Sequence, residues 1–379
     1  MGLSDYRIGE LIELTTEINS KGIYGPDDVR GMTITKQIIP TKADVTSTDL
    51  RKFLVIHPKE FVFNPRTHGK HIGFGFNDAD ESFIISWNNI GFRVKKAKEK
   101  VVLPDYLFLH FNRSEWDREA CFRSWGSSTE VFSWEALCEM ELELPSLPVQ
   151  QKYVDIYKAM VANQQSYERG LEDLKLVCDG YIEDLRRRMP CEKIGQYLME
   201  SDRRNSCGLN IEAVRGISTN KELIPTKADL NGVGLDNYKI VSPGQIAYVS
   251  DTSRRGDKIS LGFNNSQEEY LISSIYTVFD TRTKNLLPEY LMLFFTRAEF
   301  DRYARFNSWG SARETFDWDE MCSVQIPIPS IQVQKAIAEV FAVYNMRKQI
   351  SDKMKAQIKD ICPILIKGSL EEGERKKAL

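Results

Sequence analysis

Two stretches of the chain place apolar residues at every third or fourth position for far longer than a small domain needs. In the first the stripe runs through Val149, Tyr153, Ile156, Met160, Tyr167, Leu171, Leu174, Cys178, Tyr181 and Leu185. In the second it runs through Val333, Ile337, Val340, Tyr344, Met354, Ile358, Ile361 and Leu365. This spacing predicts long amphipathic helices, over 149–188 and 333–367, with a coiled-coil-like seam. Ser146 and Ser330 stand just ahead of them, where a hydroxyl can accept from the free N–H groups of a first turn. Gly170 and Pro363 are the weak points. A lone helix of this length would leave its stripe in water, so each is the natural partner of the other. In the order domain–helix–domain–helix, an antiparallel pair would form a rod roughly 55 Å long, at 1.5 Å per residue, with a domain at each end.

The rest of the chain patterns differently. Short aromatic and β-branched runs bounded by Pro, Gly, Asn and Asp predict strands at 53–56, 61–63 and 82–86, and again at 238–241, 246–249 and 270–273. A short helix is expected at 104–116 and another at 288–300, each opened by a proline whose missing N–H costs nothing there. Gly73-Phe74-Gly75 reads as strand and turn, not as a cofactor loop, because its counterpart Ser260-Leu261-Gly262 lacks the first glycine and no helix follows either.

These elements come in two copies. Val29-Arg30-Gly31 recurs as Val214-Arg215-Gly216, and Ile39-Pro40-Thr41-Lys42-Ala43-Asp44 as Ile224-Pro225-Thr226-Lys227-Ala228-Asp229, in a single register. Phe122-Arg123-Ser124-Trp125-Gly126-Ser127 returns as Phe306-Asn307-Ser308-Trp309-Gly310-Ser311. Blocks that keep one register over most of a chain are a duplication. The fold class expected is α+β: two duplicated mixed domains, 1–147 and 190–331, separated by two long helices, 148–189 and 332–368, forming an antiparallel coiled coil, with a charged tail at 369–379.

Composition adds mostly exclusions. The chain has 379 residues, 42% hydrophobic and 28% charged, which is the globular range. No run of apolar residues is long enough for a membrane span, and the N-terminus lacks a signal pattern. The 7 cysteines are odd in number and form no C-x-x-C pair, as expected of reduced cytoplasmic thiols. Cys178 and Cys362 fall in apolar stretches and are expected in the core. A net charge of −3 counts mildly against a bulk nucleic-acid binder, although charge placement matters more than its sum. There is no phosphate-binding G-x-x-x-x-G-K-[ST] loop and no Asn-Pro-Pro-aromatic amine-methylation motif; Asn64-Pro65-Arg66 comes nearest. His68 and His71 have a metal-like spacing without the further ligands zinc needs. No metal and no cofactor are expected.

The two-fold repeat, Pro-Ser-Leu-Pro-Val-Gln-Gln (145–151) opening the first helix and Pro-Ser-Ile-Gln-Val-Gln-Lys (329–335) opening the second, together with the Ser-Trp-Gly-Ser loops, resemble the specificity subunit of type I restriction–modification systems. That family usually has Glu-Gln where this chain has Val-Gln. The resemblance implies two target recognition domains, each reading half of a bipartite site in double-stranded DNA. The helices would act as spacer and dock DNA methyltransferase (modification) subunits, with a restriction or motor subunit as a further partner. It also implies that the chain has no catalysis of its own. The competing expectations are a two-headed protein adaptor without DNA readout, and an enzyme with an unrecognised site.

On that resemblance, positions that differ between the halves are candidates to read bases, and identical ones to keep the fold or touch phosphate. Thr35 and Gln37 correspond to Asn220 and Glu222; Arg123, Ser128 and Thr129 correspond to Asn307, Ala312 and Arg313. Asn and Gln suit adenine, Glu suits the cytosine amine and Arg suits guanine. Lys36 and Lys221, like Lys42 and Lys227, keep their charge in both halves and are candidate phosphate anchors. The polar loops after the second strand, with Arg66, Thr67, His68 and Lys70 in one half and Ser253, Arg254, Arg255 and Lys258 in the other, are the strongest candidates. Trp125 and Trp309, being identical, read as core or loop-packing residues and not as stacking platforms. Arg30 and Arg215 fit a structural bond at least as well as a DNA contact.

Overall fold

The computed structural model describes residues 3–68, 71–126, 130–252, 258–281, 285–310 and 314–375. The chain forms two compact units: unit one is Met1–Ser166 with Ser351–Leu379, and unit two is Tyr167–Ile350. The helices are α1 (Ile8–Leu11), α2 (Pro104–Phe111), α3 (Ser114–Phe122), α4 (Trp134–Glu139), α5 (Leu147–Arg188), α6 (Pro288–Phe295), α7 (Ala298–Phe306), α8 (Trp318–Ser323) and α9 (Ile331–Arg375).

Unit one is built on an antiparallel four-stranded sheet in the spatial order Ile12–Thr15, Ile90–Val94, Phe61–His68, His71–Phe76. Two-stranded ladders pair Ser4–Arg7 with Glu141–Leu144, Arg30–Met32 with Ile38–Pro40, and Leu54–Ile56 with Phe83–Ile85. Alternating phenylalanines on the sheet meet α2 and α3 in an aromatic core: Phe61 stacks on Phe92 at 4.9 Å, and Phe74 meets Trp116 edge-on at 5.2 Å. Unit two repeats the plan, with the sheet order Leu198–Ser201, Thr277–Thr281, Ile246–Tyr248, Leu261–Phe263.

Each core is finished by the long helices. In unit one Val154 of α5 and Cys362, Leu365 and Ile366 of α9 join the buried cluster. In unit two the contributions are Cys178, Ile182 and Leu185 of α5 with Ile337 and Phe341 of α9. Within unit one the two helices run antiparallel. Lys152 pairs with Glu372 at 2.7 Å, Tyr153 lies against Gly368, and Gln164 donates to Ser351 at 3.3 Å. Within unit two Arg347 of α9 lies over the Tyr167 ring of α5 at 5.6 Å. The buried Gln164–Ser351 bond is a polar step in an otherwise apolar seam, the kind of contact that fixes register.

Gly170 and Pro363 lie inside α5 and α9, as expected. Three local features differ from expectation. Helix α9 continues through 369–375 in place of a charged tail. Its last turns have their own contacts, since the Ser369 hydroxyl lies 2.6 Å from the Tyr106 hydroxyl and donates to the Ile366 carbonyl at 2.7 Å. The helix expected at 104–116 is two, α2 and α3, divided where Arg113 is extended (φ −91, ψ 148). Its Nε donates to the free His110 carbonyl at 3.1 Å, which satisfies a helix end that has no further turn. The equivalent stretch, 288–300, is divided in the same way into α6 and α7.

At the start of each long helix the fold depends on a glutamine. Gln150 is fully buried, accepts from the Leu103 amide at 3.0 Å and donates to the carbonyls of Val101 (2.9 Å) and Pro145 (2.8 Å). Gln334 accepts from Leu287 at 2.9 Å and donates to Asn285 and Pro329, both at 2.8 Å. Each amide thus joins the loop before α2 or α6 to the first turn of α5 or α9. Gln150→Ala would strand three buried backbone groups, each costly to leave unmade, and should lower stability by about 3 kcal/mol in urea unfolding. An unchanged midpoint would refute the role.

His110 is buried, and its Nδ1 accepts from Arg113 at 2.5 Å. Burial, with the Arg113 charge adding, pushes its pKa down to about 3. The unfolded chain, with an ordinary value near 6.5, therefore binds more protons between those limits. The stabilisation from the neutral ring is complete above about pH 6.5 and is lost as pH falls toward about 3. His110→Phe, which installs the residue that unit two carries as Phe294, should flatten the acid limb of stability measured by denaturant titration from about pH 7 to about pH 4.

Candidate nucleic-acid interface

The hairpin of Arg30–Met32 and Ile38–Pro40 turns through residues 33–37, closed by the Thr33 amide on the Gln37 carbonyl at 3.0 Å. Lys36 occupies the left-handed region (φ +60), a conformation costing a side-chain-bearing residue about 1–2 kcal/mol. Its side chain holds it there. The buried Nζ donates to the Phe111 carbonyl at the end of α2 (2.5 Å) and to Asp117 Oδ2 of α3 (2.9 Å), and lies 4.9 Å from the centre of the Trp116 ring. Unit two repeats the device: Lys221 (φ +64) donates to the Phe295 carbonyl and pairs with Asp301 at 2.8 Å. Burial pulls both lysines below the ordinary range while Asp117 and Asp301 oppose it, and burial raises Asp117.

Lys36 and Lys221 are therefore corrected: they are internal pins, with no ammonium free to meet a phosphate. The pins leave Thr35 and Gln37, and in unit two Asn220 and Glu222, exposed at hairpin tips fixed against α3 and α7. Glu222 has Lys348 at 3.8 Å. Lys42 and Lys227 are exposed.

A second hairpin leaves the other end of the same helices. After α3 the Trp125 amide and carbonyl bond to Val131 at 3.1 and 3.0 Å, and after α7 Trp309 bonds to Thr315 at the same distances. The returning strand then pairs with the loop after the second sheet strand. Arg66 bridges Val131, the Thr67 amide donates to Glu130 at 3.1 Å, and the Phe132 amide donates to Pro65 at 2.7 Å. In unit two Asp251 bridges Thr315, with Thr252 on Glu314 at 3.1 Å and Phe316 on Ser250 at 2.8 Å. Pairing in the first sheet slips between Phe63 and Thr67, and this bulge over Asn64-Pro65 re-aims the strand toward the second hairpin.

The two loops expected separately are thus brought together. Arg66 and Lys258 are exposed and Thr67 is half-buried. Arg123 is tied back to Glu119 at 2.9 Å, and the Asn307 amide donates to the Tyr303 carbonyl at 2.9 Å, closing the last turn of α7. Lys70, Ser128, Thr129, Ser253, Arg254, Arg255 and Arg313 lie outside the described residues, as does the side chain of His68. Arg30 and Arg215 fold back onto the carbonyls of Asp27 (2.6 Å) and Glu212 (2.7 Å).

The reading of Trp125 and Trp309 as packing residues is corrected: they are 80% and 64% exposed, and Phe122 and Phe306 beside them 84% and 80%. Repeat identity alone cannot distinguish a core residue from one facing a shared ligand. A cavity of about 570 Å³ in unit one is lined by Asp5, Glu10, Glu141 and Glu143 together with Arg7, Arg113 and His110. Among the described residues no cluster of three or more His, Cys, Asp or Glu is arranged for a metal, and no helix is long and apolar enough to cross a membrane.

Each unit thus carries two exposed loops on one short helix, with different polar residues in the two copies. Residues 215–370 match the family model for the type I restriction modification DNA specificity domain. The whole chain has the fold of a type I specificity subunit. It is similar to the S subunit of the type I restriction–modification system from M. genitalium, with a TM-score of 0.59 and 11% identity over 98% of this chain and 96% of that one. More distant are a chain from a structure of type I R-M complex assembly and conformational transition (TM-score 0.44, 14% identity, 97% and 98% covered) and the HsdS subunit from Thermoanaerobacter tengcongensis (0.37, 14%, 97% and 96%). No curated protein matches. The resemblance drawn from the repeat and the helix openings is borne out.

The two kinds of repeated lysine should respond differently to substitution. Lys36→Ala leaves Asp117 buried without its partner and should cost about 3 kcal/mol in urea unfolding, whereas Lys42→Ala, in water, should stay within about 0.5 kcal/mol. Equal effects would contradict the assignment.

Proposed function

We propose that this chain is the DNA-reading, non-catalytic subunit of a type I restriction–modification complex, and that each unit reads one half of a bipartite duplex site. DNA methyltransferase subunits, together with a restriction or motor subunit, supply the chemistry. The observation that carries this reading is the duplicated pair of hairpins with different tips: Thr35, Gln37 and Arg66 in unit one answer to Asn220, Glu222 and Asp251 in unit two. On equal scaffolds such differences are what two unlike half-sites require, because base-edge donors and acceptors must be matched one by one. Lys42, Lys227 and Lys258 are the remaining phosphate anchors in this reading. The long helices fix the interval between half-sites. The net charge of −3 is compatible with this role because positive charge is needed only on the reading face.

The test is to map methylated positions genome-wide in a host carrying this chain and its methyltransferase. The triple variant Thr35→Asn, Gln37→Glu, Arg66→Asp should change or abolish recognition of one half of the methylated motif, each lost base contact costing about 1–3 kcal/mol, while the other half and the spacer are retained. A change in both halves, or methylation indifferent to the chain, would refute the assignment.

A further inference from the structure

Large aromatics in water forgo the stabilisation that burial would bring, and a chain that exposes the same ones twice has kept them for contact. Phe122 ends α3 and Phe306 ends α7; Trp125 and Trp309 open the hairpins that follow. Trp116, by contrast, is buried in the unit-one core. One turn before each phenylalanine, on the same helix face, stands an arginine. Arg118 and Arg302 have side chains 75% and 70% exposed, each with only a long surface contact, to Glu115 at 3.7 Å and Glu299 at 3.6 Å. Exposed pairs of this kind hold little energy and release readily.

The arginine, the phenylalanine and the tryptophan are identical in both units, whereas the half-buried neighbours Glu119, Cys121 and Arg123 become Tyr303, Arg305 and Asn307; the other side chains kept between them have internal places, Ala120, Ser124, Ala304 and Ser308 being buried and Asp117 and Asp301 paired with the lysines. Side chains that read a base are expected to differ between unlike half-sites. A triplet that stays constant suits what every half-site shares, namely phosphate charge and the apolar faces of sugars and bases. The alternation of cation and aromatic has that chemistry, and it lies on α3 or α7 and on the hairpin that follows, whose returning strand bridges Arg66 or Asp251.

We propose that Arg118, Phe122 and Trp125, with Arg302, Phe306 and Trp309, form a sequence-independent DNA clamp in each unit, the arginine on a phosphate and the aromatic pair wedged against sugar and base faces in a groove. Apolar wedges of this kind partly unstack a base step and kink the duplex. This inference rests on the DNA-reading function proposed above.

The complex of the full chain with its methyltransferase is titrated by fluorescence anisotropy against a labelled random-sequence duplex pool at several salt concentrations. Trp125→Ala and Trp309→Ala should each weaken binding about tenfold, with Phe replacements retaining most of it. The salt slope should stay unchanged for these variants but fall by about one for Arg118→Gln. Urea midpoints should not move, because the replaced side chains stand in water, and Trp87→Ala, which removes an exposed tryptophan from another turn, should bind like the parent. Aromatic variants that bind the pool normally while Lys42→Ala weakens it would overturn the clamp and leave the DNA-reading function standing. Variants that keep DNA affinity but lose the methyltransferase subunit would also overturn it, identifying a protein-docking patch. A parent complex that fails to bind duplex at any salt would remove the function itself.

Discussion

The architecture depends on one side-chain amide used twice. A long helix must begin somewhere, and its first turn leaves backbone groups without partners. Gln150 and Gln334 do not cap those groups but anchor the turn that bears them, spending the carbonyl and both amide hydrogens on three backbone groups, two from the loop ahead of α2 or α6 and one from the turn that enters α5 or α9. Because these bonds are buried, their alternatives in water are closed off, and the helix start and the mixed region behave as one piece. Whatever sits on α2–α3 or α6–α7 is then positioned relative to the rod segment in its own unit.

The exposed loops grow from that base. The corner between α2 and α3 presents a carbonyl and an aspartate to Lys36, and the ion pair draws the first hairpin down onto the helix. The same helix runs out into the second hairpin, which in turn captures the bulged strand. Three loops far apart in sequence are thus held by one nine-residue helix in each unit. A buried lysine–aspartate pair is an expensive way to gain stability. Here it holds a non-glycine residue in the left-handed region at a fixed place.

Much of this was legible in the chain. The apolar stripes gave both long helices, and the repeat gave the duplication and the partner strands. The division of the first short helix was not, because Asn112 and Arg113 carry no glycine or proline signal and the break is held by a side chain folding back on its own helix. The lysine pins were misread for a related reason. Exposure of a lysine is the usual case, and what reverses it, Asp117 or Asp301, lies some eighty residues away. That aspartate is also common to both halves, which was the available signal. The tryptophans differ again: identity between copies fits packing, but a contact common to both copies imposes the same identity.

Unit two is one unbroken stretch, Tyr167–Ile350, whereas unit one closes only with residues from 351 onward. On the ribosome the order of completion therefore inverts the order of synthesis. The first mixed region emerges early but waits with its apolar face open for Cys362, Leu365 and Ile366, while the second can close as soon as its own stretch is out. A nascent chain of this design carries an unfinished core for most of its translation, so its vulnerability to aggregation and to premature termination is concentrated in the half made first.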